Sequence, residues 1–197
     1  MPLGLHSDFI HQFLHTTPID SPTTPTKLDE PPSSSPQSSP SLHLVCYGLG
    51  SFIESKPSRA QLACLVLLLR NLSPSVAYVY DPVLTETEHR VLAHYNLTFI
   101  ACNEGGQRPV QLPHPTVFFM PHCSVQLYDR LLSANWSLAC LSRTLVVGNS
   151  FSAYADACIR DQLRQRAWFI ASCVEHCIKE RPLRSNYHLE VAQGRCS

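Results

Sequence analysis

Leu44-Val45-Cys46-Tyr47-Gly48-Leu49-Gly50-Ser51-Phe52 is the stretch that decides the fold. Its apolar start predicts a short strand buried on both faces, and its two glycines predict a sharp turn in which backbone N–H groups come close to a ligand. A helix over about 58–72 should follow, with Ser58 to Gln61 as its capping box. A strand, a Gly-x-Gly turn and a helix N-terminus together indicate an anion or nucleotide site. Ile53 stands where the dinucleotide pattern has its third glycine, so a tight turn without a ligand stays equally open.

Strands and helices alternate along the chain from residue 42. This alternation predicts an α/β fold, a Rossmann-like three-layer domain whose mostly parallel sheet has five strands, or six, with helices on both faces. The domain is expected over residues 42–181, after a mostly disordered Ser/Pro/Thr-rich tail at 1–41 and before an irregular tail at 182–197. The expected strands are 43–47, 76–80, 97–101, 116–120 and 144–147, and the expected helices are 58–72, 86–95, 124–136 and 152–179.

Charge and composition exclude several classes of function. The 197 residues include 15 Lys and Arg and 15 Asp and Glu, so we expect no direct binding to nucleic acid. The longest apolar run, Leu62 to Leu69, is too short to cross a bilayer, and the N-terminus does not read as a signal peptide. Nine cysteines without a C-x-x-C spacing suggest reduced thiols. We therefore expect a soluble intracellular protein with no membrane partner.

Small or functional residues follow every predicted strand. The carboxyl ends of parallel strands meet at one edge of the sheet, which is where ligands bind in such folds. We therefore predict any ligand site at this carboxyl edge. The candidate residues are Gly48, Gly50, Ser51, Asp81, Asn103, Glu104, His122, Cys123, Gly148, Asn149 and Ser150.

The polar candidates allow both chemical and structural interpretations. Asp81 stands where nucleotide-binding domains hold a ribose, but an Asp-Pro pair also ends turns. Glu104 is a candidate general base or ligand anchor, or simply an acid in a turn. His122 and Cys123 suggest a thiolate–imidazole nucleophile, or ligands for a metal or haem iron. The structural interpretation is that they form a tight turn entering the next helix. Third and fourth zinc ligands are not evident, so we predict no metal site.

Short motifs at these strand ends resemble the sensitivity-to-red-light-reduced (SRR1-like) family over residues 43–155. The resemblance implies a regulatory protein of cytoplasm and nucleus, linked to light signalling and the circadian clock in plants. In animals it implies links to haem biosynthesis and clock-gene expression, and in yeast to microtubule-related phenotypes. The family has no established catalysis, so no catalytic residues carry over. The motifs are Cys46 to Phe52, Gln61-Leu62-Ala63, Tyr80-Asp81-Pro82-Val83, Asn103-Glu104-Gly105, Met120-Pro121-His122-Cys123, Leu127-Tyr128 with Asn135-Trp136, and Gly148-Asn149-Ser150-Phe151.

Two functional hypotheses follow. The leading one is a non-enzymatic regulatory protein that acts through protein partners on clock genes and haem biosynthesis. The alternative is an enzyme or sensor that binds a nucleotide or S-adenosylmethionine at the carboxyl edge, and direct haem binding through His122 or Cys123 is a third option. The family's final Phe-Asn-Asp-Thr-Ser-Ile-His segment is missing, and Arg184 to Ser197 reads as unrelated sequence. Two interpretations of the chain therefore stay open, an isoform without that segment or an imperfect gene model.

Overall fold

The computed structural model describes residues 40–157, 160–176, and 180 and 181. Residues 40–176 group into one unit, apart from the two that are not described, 158 and 159. The predicted tails at 1–41 and 182–197 fall almost entirely outside the described residues. Within the described part of the chain, no helix is long and apolar enough to cross a membrane.

The sheet has five strands, all parallel, in the order β3-β2-β1-β4-β5. The predicted α/β class and five-stranded parallel sheet are therefore confirmed, and the described residues contain no sixth strand. β3 is shorter than expected because the chain leaves the sheet after Ile100, whose N–H still bonds to the Val79 carbonyl at 3.0 Å. The strands are β1 His43–Tyr47, β2 Val76–Tyr80, β3 Thr98–Phe99, β4 Thr116–Met120 and β5 Thr144–Gly148.

Seven helices occur among the described residues, and side-chain caps begin most of them. The first starts two residues earlier than predicted, because the Ser55 side chain accepts a hydrogen bond from the Ser58 N–H. The capping box predicted at Ser58 to Gln61 is wrong, since both residues are buried inside the helix. The helices are α1 Lys56–Leu72, α2 Glu86–His94, α3 Val125–Ala134, α4 Leu138–Leu141, α5 Phe151–Ala157, α6 Arg160–Arg166 and α7 Trp168–His176.

The two faces of the sheet carry different helices, because right-handed crossovers from β1 and from β4 lead to opposite faces. Val45 and Met120 pack with Tyr128 and Leu131 of α3 and with Ile170 of α7 in one buried cluster. The side chains that alternate with them on the same strands face α1 and α2. The predicted three layers are present.

The single helix predicted at 152–179 is wrong. The Arg164 guanidinium donates to both carboxylate oxygens of Glu175 at 2.9 and 2.8 Å, although the two residues are 11 apart in sequence. In one continuous helix they would lie about 16 Å apart along the axis. α6 and α7 therefore lie side by side. The sequence has no glycine or proline in this segment, so nothing local marks the break before Trp168.

Candidate functional site

The crevice of this fold lies between the carboxyl ends of β1 and β4, where the strand order reverses. Gly48 follows β1 with a φ of 67°, and a Cβ atom built on it would lie 2.8 Å from the Cys123 Sγ. Only glycine fits such a left-handed position beside a buried thiol. The Cys123 side chain therefore packs directly against the glycine that follows β1.

Asp81 joins the end of β2 to the glycine turn (residues 48–53). Its Oδ2 accepts the Gly50 N–H at 2.7 Å, and its Oδ1 accepts the Val83 N–H at 3.0 Å. Gly50 has a φ of 72°, which suits this close approach. The turn-ending role of Asp81 is therefore present. The Gly50 N–H, which was expected to face a ligand, instead donates to the Asp81 carboxylate. The negative charge of this carboxylate disfavours a phosphate at the glycine turn.

Glu88 is the central residue that the sequence analysis missed. Its Oε1 accepts the Ser51 hydroxyl at 2.9 Å and the Ile53 N–H at 3.1 Å, while its Oε2 accepts the Thr85 N–H at 2.8 Å and hydroxyl at 2.9 Å. The side chain is fully buried. Burial favours a higher pKa, but the backbone N–H groups of Thr85 and Ile53 and the two hydroxyls lower the pKa of Glu88 to about 2. The Thr-x-x-Glu spacing of a capping box was the available signal.

Cys123 and His122 are neighbours in sequence with different surroundings. Cys123 is buried, and its Sγ lies 3.5 Å from the Tyr47 carbonyl oxygen, to which it donates. Burial, followed by the charge of Asp81, raises the pKa of Cys123 to about 12, so the thiol stays protonated. His122 is exposed. The pair therefore offers no free thiolate nucleophile, and the imidazole is the member of the pair that is exposed to a ligand.

No metal site is evident in the part of the chain that the structure describes. Zinc sites take three or four side-chain ligands, and no group of three or more His, Cys, Asp or Glu side chains is placed to hold an ion among residues 40–157 and 160–176.

Glu104 belongs to an ion pair rather than to an open catalytic position. Its Oε2 accepts the Tyr47 hydroxyl at 2.7 Å, and its Oε1 pairs with the Arg108 guanidinium at 2.5 Å. The guanidinium lies over the Tyr78 ring, 4.5 Å from its centroid. Burial and the Glu104 hydrogen bond raise the pKa of Tyr47. Asn103 is exposed and accepts the Gly105 N–H at 2.9 Å, as a turn residue does.

The residues after β5 bond to a buried tyrosine. Tyr128 donates its hydroxyl proton to the Met120 carbonyl and accepts the Asn149 N–H at 2.9 Å. A Cβ atom on Gly148 would overlap the Tyr128 hydroxyl, so a glycine is needed there. The Asn149 amide lies 3.5 Å from the Cys123 carbonyl, which links the ends of β4 and β5. Ser150 accepts the Ala153 N–H at 3.0 Å at the start of α5.

The structure thus brings most candidates to the carboxyl edge, in three groups that Cys123 connects through its contacts with Gly48 and the Tyr47 carbonyl. The glycine turn meets Asp81, Glu104 meets Tyr47, and Cys123 meets Asn149 through its carbonyl. Apart from the exposed His122, the reactive side chains bond to the protein's own backbone or to its own side chains. Their positions were predictable from the topology, but their partners were not.

Comparison with known proteins decides the family. The SRR1 domain model matches residues 15–193, which is most of the chain. The chain belongs to the SRR1 domain family. The resemblance is therefore confirmed, and the match includes the segment from Arg184 up to residue 193 that was expected to be unrelated.

Three relatives carry the same family name in different organisms. The SRR1-like protein of Mus musculus is 41% identical over 143 residues, covering 71% of this chain and 57% of the relative. Protein SENSITIVITY TO RED LIGHT REDUCED 1 of Arabidopsis thaliana is 38% identical over 117 residues, covering 58% and 42%. The SRR1-like protein of Drosophila melanogaster is 27% identical over 144 residues, covering 73% and 49%. The chain spans about half the length of these relatives, and no solved structure matches it.

Proposed function

We propose that the protein is a regulatory SRR1-like protein with no catalytic reaction of its own, acting in the control of clock genes and of haem biosynthesis. Family membership supports the regulatory role. The name of the Arabidopsis relative refers to sensitivity to red light, which supports a place in signalling. The link to haem biosynthesis rests on the family resemblance described above.

The observation that carries this proposal is that Asp81 and Glu88, two of the acids at the carboxyl edge, are already hydrogen-bonded within the protein. A general acid or base must reach a substrate proton, but Asp81 and Glu88 hold the glycine turn and the loop after β2 through their own N–H and hydroxyl groups. These bonds make the two loops a rigid pair. Ile53 and Val83 lie on them and are 54% and 57% exposed. A preordered surface with exposed aliphatic side chains suits a protein partner.

The same proposal places the protein in the cytoplasm and nucleus, with protein partners. Equal numbers of acidic and basic residues provide no general attraction to nucleic acid. An effect on gene expression would therefore pass through proteins rather than through direct contact with DNA.

The test is rescue of mouse cells that lack their own SRR1-like protein. Full-length chain is expressed in them, and the period of a clock-gene reporter and the total haem content are measured. The wild-type chain should restore both readouts, and so should His122→Ala, because no chemistry is required of the imidazole. The double variant Ile53→Glu with Val83→Glu should fail to rescue with an unchanged melting temperature.

Two outcomes contradict this account. If the wild-type chain restores neither readout, the role in clock and haem control is wrong. If His122→Ala fails while the Ile53/Val83 double variant rescues, the edge performs chemistry and is not a partner surface.

The alternative is a site for a nucleotide or S-adenosylmethionine, and one observation favours it. Two glycines with left-handed backbone, Gly48 and Gly50, lie beside the point where the strand order reverses. On this alternative they approach the ligand, and Asp81 holds its ribose. Haem bound at His122 is the third option. In the nucleotide or S-adenosylmethionine alternative, the residues lining the reacting side would be Asn103, Glu104, His122 and Asn149.

A further inference from the structure

The connection between β3 and β4, residues 100–115, contains no helix. It crosses β2 and β1 on the face of the sheet that α3 covers, because a right-handed crossover back from β3 to β4 leads to that face. Tyr78 and Phe118, which pack in the buried cluster of that face, line a cavity of about 10 Å³ together with Arg108 of the connection. A cavity of that size holds about one water molecule, so it is not a ligand site. We call residues 100–115 the strap.

The middle of the strap is held by groups that do not change charge near neutral pH. The buried Asn135 side chain at the end of α3 accepts the Val110 N–H at 2.7 Å and donates to the Arg108 carbonyl at 2.9 Å. An amide has no proton to gain or lose in this range. This attachment is therefore independent of pH.

The end of the strap that leads into β4 is held by a pair of histidines. The His114 Nδ1 accepts the Ser41 N–H at 3.0 Å, and the Ser41 hydroxyl lies 3.1 Å from the same nitrogen. The His114 ring also stacks on the ring of the buried His43, with centroids 4.7 Å apart and 18° between the planes. A backbone N–H can only donate, so this Nδ1 carries no proton and the His114 imidazole is neutral.

Protonation is incompatible with this arrangement of the two rings. An imidazolium donates from both ring nitrogens, so a protonated His114 cannot accept the Ser41 N–H. Two stacked imidazolium rings also repel each other. Burial, followed by the charges of His114 and Arg108, lowers the pKa of His43 below its ordinary value. The closed end of the strap therefore requires neutral rings.

The surroundings of His43 offer no free carboxylate to balance a proton. Glu104, the acid of the strap, is already paired with the Arg108 guanidinium. The polar groups that line the cavity with His43 are either neutral or basic. They are Arg108 and Gln111 on the strap, Tyr78 on β2 and Thr116 on β4.

We propose that the strap is an acid-sensitive switch, in which protonation of the His43–His114 pair releases the His114 end while the Asn135 attachment holds. Release separates the two rings, frees the Ser41 N–H at the start of the domain and opens the cavity over Tyr78 and Phe118. The histidine pair lies at the amino end of β1 and is not among the candidate site residues. The inference therefore goes beyond the proposed function.

The direction of the pH effect follows from the neutral rings. Because the folded-state pKa of His43 is lowered, its neutral form contributes stability that is fully present above about pH 6.5 and is lost as the pH falls. When the strap opens, His43 regains an ordinary pKa of about 6.5. At pH 5.5, His43 alone should therefore favour opening by about three- to tenfold.

The test is amide hydrogen exchange of the full chain, followed by NMR at pH 7.5 and at pH 5.5. Rates are converted to protection factors, which removes the pH dependence of the exchange chemistry itself. Protection of the Ser41 N–H should fall by at least about threefold at pH 5.5, because its acceptor is lost on opening. Protection of the Val110 N–H should stay constant, because its acceptor is the Asn135 amide.

Variants separate the histidine pair from other effects of acid. In the double variant His43→Phe with His114→Asn, a flat ring and an acceptor oxygen remain, but neither side chain titrates. Its Ser41 protection should be the same at both pH values. The single variant His114→Asn should show a smaller fall than the wild type, which keeps the test decisive if the double variant does not fold. His94→Asn is the control, since His94 is exposed on α2 and should leave the fall unchanged.

The proposal is overturned if Ser41 protection in the wild type is the same at both pH values, or if it falls as much in the variants of the histidine pair. It is also overturned if Val110 loses protection by the same factor as Ser41, because acid would then loosen the domain as a whole. The cell-rescue test uses other residues, so failure of one proposal leaves the other intact.

Discussion

At the scale of the residue, the buried carboxylate of Glu88 determines how the carboxyl edge is built. It accepts bonds from Ser51 and Ile53 on the glycine turn and from Thr85 at the start of α2. One side chain thus fixes two loops that are far apart in sequence. A buried charge is tolerable only when it is fully hydrogen-bonded, and here both oxygens have two donors.

Glu88→Gln should therefore destabilise the protein by about 2–3 kcal/mol, because the amide turns a donor toward N–H groups that need an acceptor. Urea unfolding at neutral pH measures the change. The matched control is Glu86→Gln, whose side chain is 83% exposed in the same helical turn and should change stability by less than about 0.5 kcal/mol. Equal effects of the two substitutions would contradict the role given to Glu88.

Acid should weaken the same interaction. The folded-state pKa of Glu88 is lowered to about 2, below the value of about 4.3 for an ordinary glutamate. The ionised carboxylate therefore contributes stability that is fully present above about pH 5 and is lost as the pH falls toward 2. Between about pH 6 and 3, the wild type should lose more unfolding free energy than Glu88→Gln. Parallel losses would show that the carboxylate does not accept the hydrogen bonds that lower its pKa.

At the scale of the element, the C-terminal helices show where tertiary contacts override local pattern. A helical period runs through 152–179 without a breaking residue, yet α7 begins anew at Trp168. Its first turn receives a cap from another helix, because Asp129 on α3 accepts the Ile170 N–H. Ile170 and Ala171 pack in the core, which holds this first turn of α7 in position. Such a cap comes from 41 residues away, so no local window contains it.

Asp129→Ala should cost about 1–2 kcal/mol, as loss of a helix cap does, and should alter tryptophan emission because Trp168 starts the capped helix. Asp129→Asn should recover part of the loss, since its carbonyl oxygen still accepts. Thermal unfolding followed by fluorescence gives both readouts, with Gln126→Ala, exposed on the same helix, as the control. An Asp129→Ala protein with the stability and emission of the wild type would show that Asp129 does not cap α7.

At the scale of the whole molecule, the sequence predicted the architecture better than the site. Apolar runs separated by helical periods were sufficient for β1, β2 and β4, which have the predicted bounds, and topology then placed the polar residues at one edge. The sequence did not predict what those residues bond to. Asp81 shows the reason: its ribose-binding and turn-ending roles need the same residue at the same position, and only three-dimensional contacts distinguish them.

The central claim is that the carboxyl edge is occupied by the protein's own carboxylates and presents a surface to partners. The most direct test is a thermal-shift measurement of the full chain with adenine nucleotides, dinucleotides, S-adenosylmethionine and haem, each near a hundredfold above a plausible dissociation constant. A ligand specific to the folded state would add about 2.7 kcal/mol and raise the melting temperature by roughly 5–10 °C. We predict no shift with any of them. A shift that disappears in a folded Asp81→Asn variant would contradict the account and establish a ligand site at the glycine turn.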